Sequence, residues 1–250
     1  MSDGYPTIDP RKVSVPAAAI AMAATAAALA LLAALHVVSP EFSPAWRMVS
    51  EYANGHYPSI LSAMFVAYGL SSLALAFAIR SQLKTRSGRI GLAALVVSGA
   101  GQAAAAAFDL NQPALHELAG VLGILALPIG AVLTSRTLAR EPGWSSAGRQ
   151  LRWTAHLTWI SVVLFVASFP LMMATFELAP GALPSAPPRH LPHGVVAVVG
   201  WTGRLVMLSA WAWVSVTAWH AIGVRRRATT SRACRERVAT AALEMEAGAD

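Results

Sequence analysis

Six long runs, nearly free of charge, divide this chain: Val15–Val38, Ser59–Ile79, Ile90–Phe108, Pro113–Leu133, Trp153–Met173 and Val195–Ala218. Crossing about 30 Å of hydrocarbon takes about 20 helical residues at about 1.5 Å each, and each run meets that length. Backbone N–H and C=O groups in lipid must bond within their own segment, so runs of this kind are helices. The expected fold is an all-α membrane protein, a bundle of six transmembrane helices. Charged residues make up only 12% of the chain, half of the roughly 25% usual for soluble domains, which excludes an ordinary soluble enzyme or binding module. The first run exceeds the roughly 7–15 apolar residues of a cleaved signal, so it reads as a retained span.

Charge placement predicts orientation, because basic residues near span ends stay cytoplasmic. Of the 19 basic residues, all but Arg47, Arg189 and Arg204 fall before the first run, in the second-to-third and fourth-to-fifth loops, or in the tail. Both termini are therefore expected on the cytoplasmic side of the membrane. The net charge of +7 follows from topology and calls for no nucleic-acid partner. The arginines of the tail suit anionic lipid headgroups. A single cysteine, Cys234, implies no disulfide. Residues 1–14 read as a flexible cytoplasmic N-terminus, 15–223 as the six-helix domain, and 224–250 as a basic-then-acidic tail with at most a short helix. Thr175–Pro192 carries five prolines and reads as an irregular loop or lid.

Between the first two runs lies an unusually polar stretch, SPEFSPAWRMVSEYANGHYP, Ser39 to Pro58. Ser43 suits an N-cap, Pro44 a first helical position and Gly55 a stop. Helical spacing puts Arg47, Ser50, Glu51 and Asn54 on one face and Met48, Val49 and Tyr52 on another. A short amphipathic outer helix over Pro44–Asn54 is expected, with Arg47 and Glu51 paired at i,i+4.

The titratable groups gather on the same outer side: His36, His56, His116, His190 and His193, with Glu41, Glu51, Asp109, Glu117 and Glu177. On the third span Ser98, Gln102 and Asp109 fall on one stripe. On the fourth, His116 and Gly120 share a face, and a small residue there permits close helix approach. On the sixth, His193, Gly200 and Arg204 share a stripe. Arg204 lies nine residues inside its run, about 13 Å deep. An arginine there costs about 2.5–3.5 kcal/mol on insertion scales, so it must face the bundle and find acceptors. It serves either as a clamp between helices or as the contact for an anionic group. Asp109 and Glu51 are its expected carboxylate partners. No cofactor is expected. A zinc site from His116, His193 and Asp109 is the chemically allowed alternative, and Ser50 with a His and an Asp a hydrolytic one, but neither has a local signature.

The run HVVSPEFSPAWRMVSEYANGHYP resembles the signature of the bacterial membrane family called domain of unknown function 998. The resemblance rests on His36, Pro40 and the segment Ser50-Glu51-Tyr52-Ala53-Asn54-Gly55. It continues in FDLNQPALHELAG, through Phe108, Asp109 and His116, and in GRLVMLSAWAW, which begins at Gly203-Arg204-Leu205. It covers most of residues 30–220, with the Ser-Glu-Tyr-Ala segment its specific part. It implies a six-span fold in a membrane and no particular activity. The chain is similar, more weakly, to alkaline ceramidase-type hydrolases, which use a Ser, an Asp and three His around zinc. It departs from them by lacking a His pair at helical spacing on a late span.

The expected function is binding of a lipid or small amphiphile in an outward-facing polar pocket. Arg47, Ser50, Glu51, Tyr52, Gln102, Asp109, His116, His193 and Arg204 are its candidate residues. A membrane-embedded hydrolase acting on a lipid-like substrate and a small-solute or proton transporter are the competing readings. Membrane lipids are the expected partners; oligomeric state is left open.

Overall fold

The computed structural model describes residues 9–108, 110–179 and 191–247. Among them there is no strand. Six α-helices follow in order: α1 (Val15–Val38), α2 (Pro58–Ile79), α3 (Arg86–Ala104), α4 (Pro113–Leu138), α5 (Gly148–Glu177) and α6 (Val199–Ala247). Proline stands in the first turn of α1, α2 and α4, where its missing N–H costs no helical bond. Consecutive helices pack on one another, α1 also packs on α6, and α2 touches α6 across the middle, so the six form a closed ring. α5 runs on to Glu177, three residues into the expected loop Thr175–Pro192, of which residues 180–190 lie outside the described residues.

Five of these helices, all but α3, are long and apolar enough to cross a membrane. Their outward faces are greasy: Leu29, Val66, Ile129, Val163 and Trp201 are all exposed. In water such a surface would drive association. In a bilayer it is the lipid contact. The chain is an all-helical, multi-pass integral membrane protein.

The third run differs from expectation. It was placed at Ile90–Phe108, but α3 begins earlier, at Arg86, and stops at Ala104. Arg86, Arg89 and Gln102 lower its hydropathy. It ends because the following carbonyls are taken by side chains: Ser62 Oγ donates to Ala106 O at 3.2 Å and His116 Nδ1 to Phe108 O at 2.7 Å. The stripe drawn from Gln102 to Asp109 is therefore interrupted, and Asp109 lies outside the described residues.

Glycine lets α3 sit deep in the bundle. A Cβ on Gly101 would stand 2.6 Å from Gly123 N and 2.8 Å from Ala119 O of α4. A Cβ on Gly69 of α2 would stand 2.6 Å from Gly99 O. Gln102 fills the contact between the three helices. Its Oε1 accepts from Ser72 Oγ at 3.0 Å and its Nε2 donates to Ser98 Oγ at 2.8 Å. Ser98 Oγ in turn donates to Gly123 O at 2.7 Å. Gln102 is thus a saturated joint between α2, α3 and α4. Gly120, expected at a close approach, meets nothing within 4 Å; Gly123, three residues on, fills that role.

The sixth run also shifts. Residues 195–198 are not helical, and α6 starts at Val199 and continues for 49 residues. The tail's expected short helix is an extension of this one. Its first arginines tie it to the chain's start: Arg225 Nη1 donates to Arg11 O and, at 3.0 Å, to Val13 O. Ser14 N bonds Ala78 O at 3.1 Å and Gln82 Nε2 bonds Asp9 O at 2.9 Å, so residues 9–14 are held rather than loose.

Candidate functional site

Two polar features occupy the end of the bundle that carries the α1–α2 connection. The first is built on Arg204, which is 3% exposed. Its Nε donates to His36 Nε2 at 2.8 Å. Its Nη1 donates to Arg47 O at 2.8 Å, Gly200 O at 3.0 Å and Pro44 O at 3.3 Å. Its Nη2 donates to Tyr52 Oη at 3.3 Å. His36 Nδ1 donates to Leu32 O at 2.7 Å, which leaves Nε2 as the acceptor that Arg204 needs. No carboxylate of the described residues reaches the guanidinium. The expected partner Glu51 is paired with Arg47 instead, at 2.6 Å, and its other oxygen accepts from Met48 N at 2.7 Å.

This arrangement explains why the outer segment is not the α-helix expected over Pro44–Asn54. It is a turn at 44–46 followed by a six-residue 3-10 helix, Val49–Asn54. An α-helix would spend its carbonyls on amides four residues on. Here the carbonyls of Pro44 and Arg47 go to Arg204, and that of Ala45 accepts from Gly200 N at 2.9 Å. The expected faces survive the change: Val49 and Tyr52 are buried, and Arg47 pairs with Glu51. Gly200 is the seat of the loop. A Cβ there would stand 2.4 Å from Pro44 O and 2.7 Å from Arg47 O. Arg204 lies five residues from the start of α6, about 8 Å along it, and not nine residues inside a helix. The stripe shared with His193 does not exist, because His193 is exposed in a turn before the helix.

The second feature is a cavity of about 510 Å³ beneath the same loop. Phe65 and Tyr68 of α2, Ala119 and Ile124 of α4, Phe165 and Phe169 of α5, and Val206 and Met207 of α6 make its apolar wall. Ser50, Gln102, His116 and Glu117 add polar atoms, and Met48 to Ser50 form its cover. Gly120 opens it, since no atom stands where its side chain would begin. Tyr68 is 5% exposed, packs edge-on against Trp211 at 5.3 Å, and has no hydrogen-bond partner for its hydroxyl among the described residues. Ser50 and Glu117 have none either.

The candidates thus fall into two groups. Arg47, Glu51, Tyr52 and Arg204 make the clamp; Ser50, Gln102 and His116 line the cavity. Arg204 does not line this cavity; with His36 it borders a separate, almost wholly apolar one of about 490 Å³ between α1 and α6. His193 lines neither feature, and the described residues contain no group of three His, Cys, Asp or Glu that could hold a metal ion. His190 and Asp109 lie outside the described residues. Sequence reasoning missed His36 as the direct partner of Arg204, and Tyr68 as a hydroxyl-bearing residue of the cavity wall. A tyrosine in the middle of an apolar run was the available signal for the latter.

Residues 22–220, from α1 through the membrane part of α6, match the family described as "Protein of unknown function (DUF998)". The chain belongs to this family. No curated protein and no solved structure matches it. The match to DUF998 takes in both the clamp and the cavity.

Proposed function

We propose that this DUF998 member is a six-span protein of the bacterial inner membrane that binds a lipid or small amphiphile in the cavity beneath its outer loop. The observation that carries the reading is Tyr68, a buried residue on the wall of a mainly apolar cavity whose hydroxyl has no protein partner among the described residues. Buried tyrosine hydroxyls usually find a partner, and a polar atom of a bound molecule supplies one here. The cavity falls within the roughly 300–1,000 Å³ of ordinary ligand sites, with the same mixture of apolar wall and few polar groups. α3 counts as the sixth span: its 19 residues reach about 28 Å, and its outward face carries Ile90, Val96 and Val97.

Gly120→Leu tests the binding. Its side chain enters open space, so thermal stability should hold or rise by up to about 1 kcal/mol from helix propensity. Lipid extracts of the purified wild type, compared by mass spectrometry with those of the variant, should show an amphiphile that the variant lacks. Equal extracts from a stable variant would remove the cavity as a binding site.

The charge distribution supports termini in the cytoplasm and the α1–α2 and α3–α4 connections outside. Gln112, exposed just before α4, reports on this. In intact cells an impermeant thiol reagent should label Gln112→Cys and spare the exposed native Cys234. The reverse pattern would invert the orientation.

A further inference from the structure

Resting on the reading of the cavity as a binding site, we infer that its ligand is an amphiphile with an amine head and not an anionic one. The charges decide this. Among the described residues no lysine or arginine lines the cavity. The two arginines near it are engaged elsewhere: Arg204 by carbonyls, His36 and Tyr52, and Arg47 by Glu51 at 2.6 Å. Arg47 and Glu51 offset one another, so among the described residues the charge left on the lining is the Glu117 carboxylate, which is exposed and has no ion pair with a described cation.

Hydrogen-bonding capacity points the same way. His116 Nδ1 donates to the carbonyl of Phe108, which leaves Nε2 to face the cavity, an acceptor whenever the ring carries one proton. Glu117 only accepts. A head that donates several hydrogen bonds and carries positive charge satisfies both; a sulfate or phosphate meets a carboxylate and an imidazole lone pair. The rest of the lining, Phe65, Ile124, Phe165, Phe169 and Met207, takes an alkyl chain. Val121, which also lines the cavity, is exposed on the outward side of α4. That gives a membrane-dissolved chain a way in from the side.

The test uses the full chain in phosphatidylcholine nanodiscs with three radiolabelled probes of equal chain length: decylamine, decanol and decyl sulfate. Saturable binding is read against empty discs. Wild type should bind decylamine about two- to fivefold more tightly than decanol, the range for one ion pair at an accessible site. Decyl sulfate should bind more weakly than decanol. Glu117→Gln should bring decylamine down to the affinity of decanol and leave decanol unchanged. Gly120→Leu should abolish saturable binding of all three. Decyl sulfate binding as well as decylamine, or an amine preference that survives Glu117→Gln, would overturn the inference while leaving the cavity a binding site. Absence of saturable binding by any probe in wild type would overturn the cavity reading itself.

Discussion

Arg204→Leu should leave membrane insertion intact and cost on the order of 3 kcal/mol of stability. Leucine suits an apolar span better than arginine does, so the variant should reach the membrane at wild-type levels. The loss comes from what the guanidinium leaves behind. The carbonyls of Pro44 and Arg47 and the Nε2 of His36 would lose their donor at a site 3% exposed. Each buried polar atom stranded in this way costs about 1–3 kcal/mol, reduced where water can enter. Arg204→Lys should recover only part of the loss. An ammonium can reach a carbonyl, but it cannot hold His36, Arg47 O and Tyr52 together as a planar fork does. Gly200→Ala should lower stability through the same contact, because its methyl group would displace the backbone of Pro44 and Arg47. The two lesions should be far from additive, since both undo one docking. Thermal unfolding of the four proteins in nanodiscs measures all of this. A melting temperature for Arg204→Leu equal to wild type would show that the clamp does not hold the loop.

Gly101→Val should be at least as damaging, by on the order of 4 kcal/mol, through a different contact. The added carbons would meet Gly123 N and Ala119 O, both backbone atoms of α4 that cannot rotate away. The two helices must then separate, at about 1–3 kcal/mol for overpacking. Separation also strands Ser98 Oγ from Gly123 O, now 2.7 Å apart, and loosens the Gln102 joint. Gly120→Leu is the matched control, on the partner helix α4 and toward the cavity, and should be tolerated. The readouts are the yield of monodisperse protein and its melting temperature. If Gly101→Val melted with wild type, the close α3–α4 contact would not exist.

Much of the architecture was legible because it depends on composition over long stretches. A run of some twenty apolar residues has one solution in lipid, and local variation cannot change it. Hence α1, α2, α4 and α5 lie close to where their runs put them, and the pairing of Arg47 with Glu51 followed from spacing alone. The burial of Arg204 followed from the cost of exposing it to lipid. DUF998 membership was legible in the Ser-Glu-Tyr-Ala segment and its flanks.

What tertiary structure decided were the partners. Apolar periodicity says that Arg204 faces inward, but not which acceptors meet it there. Carboxylates were the expectation because charge is visible in a sequence. Backbone carbonyls are not, since every residue carries one, and only the fold shows which of them lack a helical partner. For the same reason the outer segment is a turn and a 3-10 helix where its own caps and faces predict an α-helix: its carbonyls bond to α6. The cavity depended on packing in the same way. Gly101, Gly120 and Gly123 are identical as letters, yet two are pressed against backbone and the third faces empty space. That difference is set by how α3, α4, α5 and α6 close on one another, and no local stretch of the chain contains it.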